Sequence, residues 1–369
     1  MVIRVLYIDD DEKELKKYDL RFTQDHRTRK KFRLITRNSP KIAEDYMELL
    51  KIRPELILVD FDLSKPDKNG KVIGISGVTL STELRQKFPE DPIVLFTRKS
   101  VFKVQNYMNI KQTLASIDDV MYKRDLFEAN SNLAEILYEL AVGFRKLRNS
   151  KSKRWKNLLK LIGAPESDYD KLKLADPPIF SEKDSNWSVS KSAKWIRDTL
   201  IAYPGILYDS IHAATLLGIS ENAFLKDSVQ QFFHEAKYAG IFSPSEGRWW
   251  KSKIIEIASS KMKESESSLV LREGFPLLWK RIKKGPIERS KCIFSGESPA
   301  EWVCYILKKP VMIKYSLYYK PDSRPSVMDE ARVSFEAIRI SNEVNDALID
   351  PIGQELLPKI RKMDKRSVK

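Results

Sequence analysis

Within the first 125 residues, short apolar runs alternate with segments of helical periodicity, and this alternation narrows the fold more than any other feature. The apolar runs are Ile3–Ile8 (IRVLYI), Phe32–Thr36 (FRLIT), Leu56–Val59 (LILV), Ile93–Phe96 (IVLF) and Val120–Tyr122 (VMY). Between them, residues 12–27, Ile42–Ile52, Val78–Phe88 and Val101–Ile117 carry charged residues on an apolar spacing that predicts helices, the third stopped by Pro89. Apolar strands of about four to six residues are buried on both faces. Alternation with helices makes them parallel, and right-handed crossovers then give a five-stranded doubly wound α/β sheet.

Downstream the pattern changes. Leu126–Leu147 predicts a long helix that runs into the basic stretch Arg145–Arg154, and from Trp155 the strand–helix alternation stops. Residues 155–285 are mostly helical in periodicity. After residue 286, Cys292–Ser295 and Val311–Tyr319 predict extended chain, and Met328–Ala347 a helix. The expected organisation is therefore a sheet domain over 1–148, a helix-rich domain over 149–285 and a small α+β region over 286–369, consistent with a chain of 369 residues.

Composition excludes several classes. Two cysteines and three well-separated histidines provide neither a disulfide scaffold nor a structural zinc site, and Cys292 and Cys304 are expected as core thiols. No apolar run approaches the length of a membrane span. The N-terminal stretch meets three acids by Asp11, unlike a secretory signal, so the expected location is the cytoplasm. The formal net charge is +15, with the largest excess in residues 151–285, which favours polyanionic partners such as nucleic acid.

A parallel sheet gathers the C-terminal ends of its strands on one edge, where such folds bind ligands. Asp9 and Asp10 follow the first strand, Asp60 the third, Thr97 the fourth and Lys123 the fifth. Clustered carboxylates repel unless a cation neutralises them, and hard oxygen donors of this kind suit magnesium. A lysine and a hydroxyl opposite could hold a phosphoryl group, with one aspartate as nucleophile.

These motifs carry a resemblance. Residues 1–148 resemble the receiver domain of two-component response regulators: YIDDDE its acidic strand end, LILVDFD its phosphoacceptor strand, VLFT its hydroxyl strand and VMYK its lysine strand. The resemblance implies a flavodoxin-like fold and phosphorylation of Asp60 by a sensor histidine kinase or a phosphotransfer protein. It implies Mg2+ held by Asp9 and Asp10 with Asp60 and the backbone carbonyl of Asp62, and Thr97 and Lys123 on the phosphoryl oxygens. The activity it implies is receiver self-phosphorylation and dephosphorylation; an enzyme in residues 150–369 is a third, least supported reading. The chain departs from the family at Arg98, where a small residue is usual, at Arg124, where proline follows the lysine, and at Val120, where an aromatic switch is usual. It also carries an insert, Ser64–Ser76, between the phosphoacceptor strand and the next helix.

For the output, Ile206–Leu217, the turn Gly218-Ile219-Ser220 and Glu221–Tyr238 predict helix, turn, helix. The Arg248–Lys251 tip gives residues 207–251 a winged-helix-like pattern. That reading makes duplex DNA a partner, while the resemblance of residues 1–148 to receivers, which often pair when phosphorylated, admits a homodimer. The alternative is a protein-interaction or phosphate-exchange module without DNA binding. Trp187, Trp195, Trp249, Trp250, Trp279 and Trp302 are expected in the core rather than stacked on bases, and residues 150–369 hold no catalytic cluster in sequence.

Overall fold

The computed structural model describes residues 2–40, 43–63, 76–97, 116–128, 131–150, 154–178, 188–283, 285–321 and 324–363. Arg98, Trp187, nearly all of the Ser64–Ser76 insert and nearly all of the helix expected over Val101–Ile117 lie outside the described residues, as does the side chain of Arg124. The chain divides into two compact units, one of residues 1–161 and 178–195, the other of residues 162–177 and 196–369. No helix among the described residues is long and apolar enough to cross a membrane.

The first unit is built on five strands: β1 (Ile3–Asp9), β2 (Phe32–Asn38), β3 (Leu56–Asp60), β4 (Ile93–Thr97) and β5 (Asp119–Tyr122). Their order is β2-β1-β3-β4-β5, and every pairing is parallel. This is the doubly wound sheet that the alternation predicts. Its helices include α1 (Glu12–Gln24), α2 (Ala43–Lys51), α3 (Gly77–Lys87) and α4 (Leu133–Asn149).

Strand alternation sorts the core onto two faces. Leu6, Ile8, Ile57, Val59, Ile93, Leu95 and Val120 pack with Leu49 of α2 and Leu80 and Leu84 of α3. The intervening side chains Tyr7 and Phe96 meet Tyr18 of α1, with ring centroids 5.1 Å (Tyr7) and 6.4 Å (Phe96) from the Tyr18 ring. Phe32 bridges Phe22 of α1 and Tyr138 of α4. The register sets Val59 beside Ile8, Phe96 beside Asp60 and Tyr122 beside Thr97, so the strands end together on one edge.

Local chemistry fixes the helix starts. Asp11 caps α1 by accepting the Lys13 N–H at 2.9 Å, and Ser76 caps α3 by accepting the Thr79 N–H at 3.1 Å. The long helix expected over Leu126–Leu147 is instead a 3-10 turn at Lys123–Phe127 followed by α4, whose start is held by Ser131 accepting the Leu133 N–H. Asp118, fully buried, accepts from Arg85, the Ile93 N–H and Ser190 Oγ, and so ties the entrance of β4 to that of β5.

The second unit is mainly helical with two-residue and three-residue strand pairs. The turn at Gly218 forms as expected: its φ is +69°, and an added Cβ would lie 2.0 Å from the Arg272 carbonyl oxygen. The rest of that motif differs from expectation. The helix expected over Glu221–Tyr238 is broken into Glu221–Phe224, Asp227–Phe232 and a 3-10 turn at His234–Ala236. The breaks turn Phe224, Val229, Phe233 and Ala236 all inward, which one continuous helix of that length does not do. The expected wing is likewise absent. Trp249–Trp250 pairs antiparallel with Leu207–Tyr208, both tryptophans are buried, and Lys251 already opens the helix Lys251–Ser259. Trp195 and Trp279 are buried as well, as the core reading expects, whereas Trp302 is only half-buried, its indole N–H donating to the Glu330 carbonyl at 3.2 Å.

Met328–Ala347 is also not one helix. Arg332–Ser334 is a strand paired with Ser316–Tyr318, followed by the helix Phe335–Ile340 and a 3-10 turn at Asp346–Leu348. Buried Arg332 donates through Nε to Ser316 Oγ at 2.8 Å, which holds the strand pair. Two turns in this region match bond for bond. The Gly296 N–H donates to the Cys292 carbonyl and the Lys308 N–H to the Cys304 carbonyl, both at 2.9 Å. The Cys292 and Cys304 N–H groups donate to Glu297 and Lys309, both at 2.8 Å. Gly296 and Lys308 both have positive φ, +74° and +49°. The two sulfurs are buried thiols that accept hydrogen bonds: Cys292 from the Met312 N–H, and Cys304 from the Leu307 N–H and from the N–H and hydroxyl of Ser334.

Gly77 shows how tightly α3 sits on the sheet edge. A Cβ there would lie 1.9 Å from the Asp60 carbonyl oxygen, a backbone atom that cannot step aside. Gly77→Ala is expected to lower stability by about 3 kcal/mol in urea unfolding, whereas alanine at the solvent-exposed Thr82 of the same helix is expected to fall within about 0.5 kcal/mol of the wild type.

Candidate functional site

Every group of the site stands at or just past a strand end on the C-terminal edge. Asp9 closes β1, and Asp10 follows it before the Asp11 cap. Asp60 closes β3, Thr97 closes β4, and Lys123 follows β5. The apolar cores of these strands force the carboxylates into shelter. Asp9 is 1% exposed, Asp60 8%, Thr97 1% and Lys123 4%.

Lys123 ties the strand ends together. Its Nζ lies 2.7 Å from Asp9 Oδ2 and 2.8 Å from Asp60 Oδ1. Asp9 Oδ1 accepts the Asp11 N–H at 2.9 Å, and Asp9 Oδ2 also accepts the Tyr7 hydroxyl. The Lys123 carbonyl accepts the Tyr18 hydroxyl at 2.8 Å. Oxygen atoms of Asp9, Asp10 and Asp60 all lie within 4.8 Å of one another. Asp62 lies exposed two residues beyond Asp60.

Three carboxylates face one ammonium among the described residues, and two of the three are buried. Burial pushes the Asp60 carboxyl up to about 6; Lys123 opposes this, and Asp9 adds to it. Burial beside Asp9 also lifts the Tyr7 phenol far above the ordinary tyrosine range, so Tyr7 is a neutral donor at any working pH. Three carboxylates whose oxygens converge this closely form a set of hard oxygen donors that fits a divalent cation of the magnesium type. Asp10, Asp60 and Asp9 are the residues that would hold it.

The sequence places Asp9, Asp10, Asp60, Thr97 and Lys123 on one edge; in the structure Lys123 bonds Asp9 and Asp60, Asp10 lies beside them, and Thr97 closes the strand between Asp60 and Lys123. Tyr7, Tyr18 and Gly77 escaped the sequence reading. The signal for Tyr7 was its spacing: two residues before Asp9 on a strand, it shares that face.

No family model matches the sequence, and no curated protein matches it. Solved structures similar to the chain include response-regulator receiver domains, which cover about the N-terminal 40% of it; the C-terminal region is not covered. A response regulator receiver domain protein from Clostridium thermocellum is 15% identical, covering 40% of this chain and 98% of its own, with a TM-score of 0.29. A response regulator from Thermotoga maritima, in complex with Mg2+-BeF, is 17% identical over 36% of this chain and 93% of its own, with a TM-score of 0.24. An adenylate cyclase from Rhodopirellula baltica is 16% identical over 43% of this chain and 98% of its own, with a TM-score of 0.29.

The raised Asp60 value has a measurable consequence. Folded Asp60 takes up a proton more readily than in the unfolded chain, so stability attributable to it is present at low pH and is lost as pH rises from about 4 to about 6. Asp60→Asn lacks this loss. In parallel urea titrations the variant is expected to gain on the wild type by about 2 kcal/mol between pH 4 and pH 6.5. A difference that stays flat across this range would contradict the assignment.

Proposed function

We propose that residues 1–148 are a phosphoryl-accepting receiver and that Asp60 is the acceptor. The observation that carries this is Lys123 bonded to both Asp9 and Asp60, with Asp10 beside them, at the C-terminal edge of a parallel sheet. In the proposed step an Asp60 carboxylate oxygen forms a bond to phosphorus. The bond from phosphorus to the donor, an imidazole nitrogen of a histidine kinase or phosphotransfer protein, breaks, and the donor leaves with the electron pair. Lys123 stands where it can pair with a phosphoryl oxygen, and the Thr97 hydroxyl at the end of β4 can donate to another. Mg2+, when bound by Asp10, Asp60 and Asp9 with the Asp62 carbonyl, neutralises charge on the transferring group.

The adduct adds about one to two negative charges to the C-terminal edge of the sheet. The proposed consequence is a population shift in the receiver that residues 149–285 and 286–369 read out. Of the two outputs, an interaction or phosphate-exchange module is better supported than duplex DNA binding. After the Gly218 turn the helix Glu221–Phe224 is a single turn, and Trp249 and Trp250 are core residues rather than a wing.

Incubation with acetyl phosphate and Mg2+ is expected to add one phosphoryl group by intact mass to the wild type and none to Asp60→Asn. Absence of the adduct on the wild type would refute the acceptor role. Retention on a duplex that weakens steeply with added salt would restore the DNA reading.

A further inference from the structure

Tyr7 and Tyr18 are buried, polar-tipped side chains that the acceptor chemistry does not require. Tyr7 is fully buried and Tyr18 is 2% exposed. A phenylalanine fills the same volume without a hydroxyl to satisfy, and a buried hydroxyl is costly unless it finds a partner. Both hydroxyls go to the same place. Tyr18 donates to the Lys123 carbonyl at 2.8 Å, and Tyr7 donates to Asp9 Oδ2, the oxygen that also receives the Lys123 ammonium at 2.7 Å. The ammonium lies 5.9 Å from the centre of the Tyr7 ring. The two tyrosine rings are 5.1 Å apart, and Phe96 lies 6.3 Å from Tyr7 and 6.4 Å from Tyr18. Lys123 and the Asp9 carboxylate therefore rest on a packed aromatic floor.

A carboxylate oxygen offers two lone-pair directions. On Asp9 Oδ2 one is taken by Tyr7 and the other by Lys123, while Oδ1 is engaged by the Asp11 N–H. Lys123 thus has one berth on Asp9 and directs another N–H at Asp60 Oδ1, 2.8 Å away. Without the Tyr7 hydroxyl, Oδ2 would be less satisfied and would draw the ammonium wholly onto Asp9.

We propose that Tyr7 is a positioning residue: by occupying one lone pair of Asp9 Oδ2 it keeps Lys123 shared between Asp9 and Asp60, where the ammonium can meet an incoming phosphoryl oxygen. Tyr18 anchors the backbone of the same lysine. The inference rests on the acceptor role proposed for Asp60.

The test is a time course of adduct formation on the full chain with acetyl phosphate and Mg2+, an in-line transfer in which Asp60 gains the phosphorus–oxygen bond and acetate leaves with the electron pair. Tyr7→Phe is expected to slow the maximal rate about tenfold, equivalent to about 1.4 kcal/mol of barrier. The half-saturating concentrations of Mg2+ and acetyl phosphate are expected to stay within about twofold. Tyr18→Phe, which leaves Asp9 untouched, is expected to cost about threefold. In a Lys123→Ala background, Tyr7→Phe is expected to change nothing further, because its effect passes through the lysine. An unchanged rate in Tyr7→Phe overturns the proposal, and so does an undiminished loss in the Lys123→Ala background. A rise in half-saturating Mg2+ matching the fall in rate would move Tyr7 to the cation site and overturn it too. No adduct on the wild type would refute the acceptor role of Asp60 and this inference with it, whereas adduct at equal rates in wild type and Tyr7→Phe refutes the role of Tyr7 alone.

Discussion

One ammonium between two sheltered carboxylates organises the first unit. Lys123 arrives from beyond β5, Asp9 from the end of β1 and Asp60 from the end of β3, and their bonds join strand ends whose order is β2-β1-β3-β4-β5. The arrangement is costly in isolation. Burying three such charges is compensated only when each finds partners, and removing one strands the others. The surroundings supply those partners: the Asp11 N–H and Tyr7 hydroxyl on Asp9, and the Tyr18 hydroxyl on the Lys123 carbonyl. The same groups that stabilise the edge are those that chemistry at Asp60 would call upon.

The sheet was legible because its strands are short, apolar and regularly spaced. The shared edge of Asp9, Asp10, Asp60, Thr97 and Lys123 was legible because parallel topology forces strand ends together, so position in sequence became position in space. Tyr7 was hidden by the same strand that exposed Asp9. Inside the run IRVLYI it counts as one more apolar residue, and only face alternation reveals that its hydroxyl reaches the carboxylate. Asp11, third in an acidic run, has a local task as the cap of α1, and sequence alone does not separate it from its neighbours.

Beyond residue 195 legibility falls for a different reason. Periodicity over Glu221–Tyr238 averages across breaks that turn Phe224 and Phe233 to the same core, and it scores them as one helix. Trp249 and Trp250 beside Arg248 and Lys251 suggest an exposed tip, yet their partners lie some forty residues upstream at Leu207 and Tyr208. Over Met328–Ala347 the strand Arg332–Ser334 depends on a buried arginine bonded to Ser316, a non-local contact without a periodic trace. Where elements are short, pairings between distant residues outweigh local pattern.

The matched turns at Cys292 and Cys304 give the second unit an internal gauge. Both thiols are enclosed, Cys292 at 3% and Cys304 at 0% exposure, and their sulfurs serve as hydrogen-bond acceptors. A thiol reagent in solution can reach them only when that part of the chain opens. At low reagent concentration the rate of labelling therefore tracks the population of the open form. The chain contains no other cysteine, so the wild-type protein, without an introduced probe, reports how far a substitution within the second unit loosens or tightens the residues around Val333 and Ile338.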